Sequence, residues 1–176
     1  QSTINELNRL KAIGIDAQEL DLRNYFENNT GLEAIVKDAQ LVWVRGGNTF
    51  LLRKALFLSG ADEIIARLLA QDAIVYGGHS AGVAVLAPSL EGIELIDDPN
   101  ALPVEYSGYD VPTAVERSGL GILPYYVAPH YRSDFVDSQY VDGLVDYFKR
   151  KDRPFRTLRD GDVLVVDGET SKVVER

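Results

Sequence analysis

Apolar positions recur along the chain at two alternating periods. Ile4, Leu7, Leu10 and Ile13 are three residues apart, the spacing of one helix face, and Gly14 supplies a stop. Ile15 to Leu22 reads as a strand. Asn28-Asn29-Thr30-Gly31 is a loop, with Thr30 placed to cap a short helix running to Lys37. Leu41-Val42-Trp43-Val44 is a short apolar run cut off by Gly46-Gly47, the pattern of a buried strand. Thr49 to Leu58 returns to helical periodicity and stops at Gly60, and a second helix over Asp62 to Ala70 leads into a strand over Ala73 to Tyr76. Val83 to Ala87 continues as a helix of small residues. Residues 88 to 119 show no steady period and read as a long loop. Leu120 to Ala128 contains a strand that ends at Pro129-His130-Tyr131. Val141, Leu144, Val145 and Phe148 mark another helix. Strands follow at Thr157 to Arg159, Val163 to Val166 and Lys172 to Glu175, the last two joined by a turn at Asp167-Gly168. Strands alternating with helices predict an α/β layered domain with a mainly parallel sheet, helices on both faces and a C-terminal antiparallel hairpin.

Composition narrows this picture only a little. With 176 residues, 45% apolar and 26% charged, the chain can bury the core of one domain, expected over 1–176. The net charge of −9 repels phosphate backbones, which argues against nucleic acid as a partner. No cysteine is present, so disulfides, thiolate metal sites and a cysteine nucleophile are excluded. Residues 73 to 90 contain no Asp, Glu, Lys or Arg. Glycines, serines, His79 and Pro88 interrupt that run, so it reads as a buried strand and helix and not as a membrane span. The chain starts Gln1-Ser2-Thr3-Ile4 without a methionine or a signal-like segment, so an upstream start and a cytoplasmic location are expected.

One stretch carries chemistry. Gly78-His79-Ser80-Ala81-Gly82 lies between a strand and a helix and matches G-x-S-x-G, the nucleophile elbow of serine hydrolases. A serine hydroxyl needs a base within hydrogen-bond reach, and the chain has two histidines. His79 adjoins Ser80 across the turn and points elsewhere. His130 ends an apolar strand, where open α/β sheets form ligand sites, and is the expected base. An orienting carboxylate should come from the loop after Ser80, which offers Glu91, Glu94, Asp97 and Asp98. Gly46-Gly47-Asn48 joins a strand to a helix. There Gly47 can supply one oxyanion N–H and Ala81 the other. Each piece taken alone has an ordinary structural explanation: a tight turn, a packed histidine, a solvated loop.

Taken together they resemble a known family. Val44-Arg45-Gly46-Gly47-Asn48-Thr49-Phe50, the Ser80 pentapeptide with Pro88, Asp97-Asp98-Pro99, Gly119-Leu120-Gly121 and Pro129-His130-Tyr131 occur in the order and at the spacing of the peptidase E family, aspartyl dipeptidase-like serine peptidases distantly related to cyanophycinases. The resemblance implies a fold related to class I glutamine amidotransferases, with serine in place of their cysteine. It implies a triad of Ser80, His130 and Asp97, with Asp98 and Glu91 left open for the acid, and Gly47 in the oxyanion hole. It also implies hydrolysis of dipeptides beginning with aspartate, with no metal or other cofactor. Substrate contacts are expected from Asn48 and from Arg132, the latter as the cation for an acidic side chain. A small peptide and, as an assembly, a homodimer are the expected partners; nucleic acid and membrane are not. Family chains begin with a strand, loop and helix that precede the first helix here, so an N-terminal strand of the sheet is expected to be missing. Two other readings stand beside this one. An α/β-hydrolase esterase would call for a His-Gly-Gly-Gly oxyanion loop, which the chain lacks. A non-catalytic member of the same scaffold would serve as a binding or regulatory module.

Overall fold

The computed structural model describes residues 3–136 and 138–176. Seven α-helices and six strands follow in chain order among them: α1 (Thr3–Ala12), α2 (Leu32–Asp38), β1 (Leu41–Val44), α3 (Thr49–Ser59), α4 (Ala61–Ala70), β2 (Val75–Gly78), α5 (Ala81–Ala84), α6 (Thr113–Arg117), β3 (Tyr126–Ala128), α7 (Ser138–Arg150), β4 (Phe155–Thr157), β5 (Val163–Asp167) and β6 (Thr170–Val174). Helix ends follow local chemistry. Asn48 caps α3 with its side-chain oxygen on the N–H groups of Phe50 and Leu51. Gly60, at φ +71°, ends α3 and starts α4 in a left-handed conformation that glycine adopts without strain.

The strands form three two-stranded ladders instead of the single sheet expected. β1 and β2 run parallel, Leu41 opposite Val75 through Val44 opposite Gly78, with α3 and α4 as their crossover. β3 and β4 run parallel, Tyr126 opposite Phe155 through Ala128 opposite Thr157, with α7 between them. β5 and β6 make the expected antiparallel hairpin. Tyr76 of β2 and Val127 of β3 pack on one apolar cluster with Leu86, Leu123 and Leu158, so side chains and not a ladder connect the two parallel pairs.

Several local expectations are corrected. Ile15 to Leu22 is no strand: it has no ladder partner among the described residues, and Leu22 instead opens a 3₁₀ turn over Leu22–Tyr25. A strand is defined by its neighbour's hydrogen bonds, and an apolar pattern alone does not supply them. Gly31, at φ +85°, and not Thr30, is the residue before α2, because that entry needs a left-handed backbone. β1 is only half-buried, with Trp43 37% exposed. The 88–119 loop contains α6 and two 3₁₀ turns.

Two larger apolar clusters complete the core. One gathers Phe50, Leu90, Tyr126, Val141, Leu144 and Phe148, bringing α3, β3 and α7 together. The other gathers Leu32, Val36, Leu56, Ile64, Leu68 and Ile74, where α2, α3 and α4 meet the start of β2. A buried ion pair, Arg53 Nη1 to Asp62 Oδ2 at 2.8 Å, links α3 to α4, and Arg53 Nε also donates to Ser118 Oγ at 3.3 Å. Breaking such a pair leaves an uncompensated buried charge, so it holds the helices in one arrangement.

Phe148 is fully buried and stacks near Tyr126 and Phe155 at 4.7 and 5.8 Å between ring centroids. Phe148→Ala is expected to cost about 3–5 kcal/mol, through lost transfer energy and a residual cavity, read from the urea midpoint at unchanged slope.

Candidate active site

The Ser80 elbow is built by close backbone approach. β1 and β2 lie side by side, and the chain turns sharply beyond Gly78 so that the His79 N–H donates to the Val44 carbonyl at 3.2 Å. A Cβ on Gly78 would stand 2.8 Å from that same carbonyl oxygen, and one on Gly82 only 2.3 Å from it. Both glycines of the pentapeptide are therefore required by one oxygen atom. Tyr76 locks the turn from inside: its hydroxyl donates to the Gly82 carbonyl at 2.6 Å, and burial pushes its phenol well above the ordinary range, keeping it a donor. Ser80 itself stands at φ +55°, ψ −121°, a conformation few non-glycine residues adopt. Ser80 thus stands at the apex of the strand-turn-helix expected over 78–82.

Ser80 and His130 line one cavity of about 190 Å³. The cavity also takes its walls from Gly47, Ala81, Ile93, Ile96, Asp97 and Phe135. His130 stands at φ +60°, a second strained position. Its ring stacks on Phe135 with centroids 4.1 Å apart and planes 21° apart. Its Nδ1 lies 2.7 Å from Asp160 Oδ1. Its Nε2 is buried and makes no hydrogen bond among the described residues, to Ser80 or to any other group. His79 turns the other way, toward Glu6 Oε1 at 3.6 Å and the Trp43 ring, and burial holds its imidazole below the usual range.

The carboxylate beside His130 is Asp160, which the loop after Ser80 does not contain. Asp97 lines the same cavity, but its Oδ2 accepts from the Thr49 N–H at 2.7 Å, at the start of α3. Asp98 Oδ1 accepts from the Asn100 N–H, and Glu94 Oε2 from the Gly92 N–H. Glu91 accepts from the Tyr147 hydroxyl and from Arg153, both at 2.7 Å. Those two bonds hold its carboxyl below the usual range, and the bond to Glu91, with burial, pushes the Tyr147 phenol up to about 12. None of the four bonds to His130. Asp160 reaches it because β3 and β4 are parallel neighbours whose C-terminal ends lie together: the Tyr131 N–H donates to the Leu158 carbonyl, and the Asp160 N–H donates to Ser133 Oγ.

The two residues expected to bind substrate, Asn48 and Arg132, both make other contacts in the structure. Asn48 is occupied by structure: its oxygen caps α3 and its Nδ2 donates to the Asp98 carbonyl at 2.9 Å. Arg132 is not in the cavity wall; its side chain is 62% exposed, lies over the Tyr131 ring at 4.9 Å and reaches Asp142 at 3.9 Å. Gly47 and Ala81 do flank Ser80 in the wall, and neither backbone N–H donates a hydrogen bond among the described residues. Gly47 sits at φ +148°, accessible to few other residues. Asp160 and Phe135 are the two residues that sequence reasoning passed over. Asp160 carried one usable signal: it directly follows the segment expected as a strand, Thr157 to Arg159, as His130 nearly follows the strand before it.

A family model described as Peptidase family S51 matches residues 3–174. Among curated proteins, Peptidase E of Streptomyces coelicolor is 30% identical over 155 residues, 85% of this chain and 58% of that protein. A Drosophila melanogaster protein named "Probable alpha-aspartyl dipeptidase" is 30% identical over 142 residues, 78% of this chain and 54% of that protein. The chain thus spans little more than half the length of these curated relatives. Among solved structures, a candidate peptidase E protein from Listeria monocytogenes EGD-e superimposes with a TM-score of 0.80 at 19% identity, over 100% of this chain and 80% of that one, a likeness of fold.

A methyl at position 82 has nowhere to go, since its neighbour is backbone. Gly82→Ala is expected to lower stability by about 1–3 kcal/mol. Gly143→Ala, in the exposed interior of α7 with open space around it, is expected to raise stability by about 0.5–1 kcal/mol. Thermal melts of both variants beside the parent chain check this opposition of sign.

Proposed function

We propose that this chain, which belongs to peptidase family S51, is a serine peptidase acting on small peptides through an acyl-serine intermediate. The observation that carries the reading is the strained Ser80 elbow opening on the cavity that His130 shares. Nε2 of His130 takes the proton of Ser80 Oγ as that oxygen attacks the scissile carbonyl carbon. The carbonyl oxygen becomes an oxyanion, held by the N–H groups of Gly47 and Ala81. The C–N bond breaks, and the amine leaves with the proton from His130. Water then enters, gives a proton to Nε2 and attacks the acyl carbon; the bond from that carbon to Ser80 Oγ breaks, Oγ takes the proton back from Nε2, and the acid leaves. Asp160 accepts from Nδ1–H throughout, which keeps Nε2 a base and steadies the imidazolium, while Phe135 holds the ring plane. In the resting site Ser80 and Nε2 are not bonded, so the contact forms when substrate arrives; catalytic hydrogen bonds commonly tighten only then.

The same reading includes a fold of the class I glutamine amidotransferase kind, with serine in the nucleophile position. It is supported by the two parallel pairs, each closed by a helical crossover, and by the strand-turn-helix at Ser80. No helix among the described residues is long and apolar enough to cross a membrane.

A fluorophosphonate probe should label the chain once, at Ser80, and Ser80→Ala should abolish labelling and lower kcat by about 10³-fold or more on any peptide the parent cleaves. Undiminished turnover by that variant refutes the mechanism. Asp160→Asn should lower kcat by about 10²–10⁴-fold while KM changes little, because the wrong tautomer of His130 affects the reaction and not binding.

A further inference from the structure

No Lys or Arg lines the Ser80 cavity among the described residues; beside Thr49, Ser80, Asp97 and His130, its walls carry the apolar side chains of Ala84, Ile93, Ile96, Phe135, Val141 and Leu144. The start of α3 faces this space and could have bound an anion through its open N–H groups. Those groups are already engaged: Thr49 N–H on Asp97 Oδ2, and Phe50 and Leu51 N–H on Asn48 Oδ1. The one charge that lines the cavity beside His130 is the carboxylate of Asp97. It makes no ion pair, and its Oδ1 accepts no hydrogen bond, among the described residues. A carboxylate in an apolar wall with one oxygen free repels a second carboxylate and attracts a cation.

We infer that the site selects peptides whose first residue is apolar and whose α-amino group is free, with Asp97 binding the α-ammonium and the apolar wall binding the side chain. The inference rests on the serine-peptidase reading and names its substrate class. In a peptide cut after its first residue, the α-ammonium is one carbon from the scissile carbonyl, so a group close to Ser80 must receive it. Asp97 shares the wall with Ser80 and Ala81. The cavity's size points the same way. At about 190 Å³ it falls below the several hundred Å³ of pockets for larger ligands, and it holds one residue. An N-terminal aspartate would bring its side-chain carboxylate into an apolar wall beside Asp97, with no cation to receive it. Arg132, the cation expected for that role, is exposed and reaches Asp142.

The test compares L-leucyl-, L-aspartyl- and N-acetyl-L-leucyl-p-nitroanilide on the full chain, with fluorophosphonate labelling of Ser80 measured in parallel. Leucyl substrate should exceed both others in kcat/KM by at least about tenfold, the scale of discrimination one apolar or one charged contact supplies. Asp97→Asn keeps an oxygen for the Thr49 N–H, so the helix cap survives. It should raise KM for the leucyl substrate and close the gap to the N-acetyl one. Ile96→Arg, at a half-buried wall position, should shift the ratio toward the aspartyl substrate. Equal or better cleavage of the aspartyl or N-acetyl substrate overturns the inference. So does a chain that labels at Ser80 but cleaves none of the three, and either result leaves the serine-hydrolase reading standing. A chain that neither labels nor cleaves removes both.

Discussion

The rest of the site depends on the Val44 carbonyl and the backbone pressed against it. That oxygen accepts the His79 N–H and leaves no room for a Cβ at Gly78 or Gly82. The contact ties the end of β1 to the turn after β2, and Tyr76 fastens the far side through the Gly82 carbonyl. Immediately beyond, consecutive residues enter different cores: Ala84 joins the α7 cluster, Val85 the α2–α4 cluster and Leu86 the cluster under β3. One short turn thus fixes Ser80 and also sets how three packing regions meet. Strain at Ser80 persists because its surroundings over-determine it.

The candidate site gathers residues that follow the C-terminal ends of two separate parallel strand pairs. Gly47 follows β1, Ser80 follows β2, His130 follows β3 and Asp160 follows β4. Ligand sites form at such ends because strands running the same way deliver their following loops to one edge. Here the edge is shared by two separate ladders, joined through side chains and not through hydrogen bonds. The proposed acid and base therefore come from one pair, and the proposed nucleophile and oxyanion hole from the other. The relative placement of the two pairs is what brings Ser80 and His130 onto one cavity.

Charge is partitioned around that cavity. Asp160 lies outside, half-exposed, and reaches His130 from the solvent side, while Asp97 stands in the wall at the start of α3. Two carboxylates of the same kind so acquire different work from their neighbours: one faces an imidazole, the other a helix N-terminus and an apolar pocket. Loop position in the sequence does not distinguish them.

Local pattern was a sound guide wherever a contact is short in sequence. The helices α1, α3, α4 and α7, the hairpin of β5 and β6, and the Ser80 elbow were all legible, because helix periodicity, glycine stops and a tight turn act over a few residues. That His130 would stand at the Ser80 cavity was legible as well, by scarcity: two histidines, one of them adjacent to the serine. What sequence could not show was who neighbours whom. The Ile15 to Leu22 pattern suited a strand but found no partner among the described residues, and the single sheet became separate ladders. Asp97 is near Ser80 in the chain, yet Asp160, 30 residues after His130, holds the imidazole, because parallel pairing of β3 with β4 brings their ends together. By itself, then, the sequence determined the elements, the elbow and the pair of residues that could act at it. Only the tertiary structure decided which acid stands behind the histidine and what lines the cavity, since both depend on strand pairing and on side chains meeting across long separations.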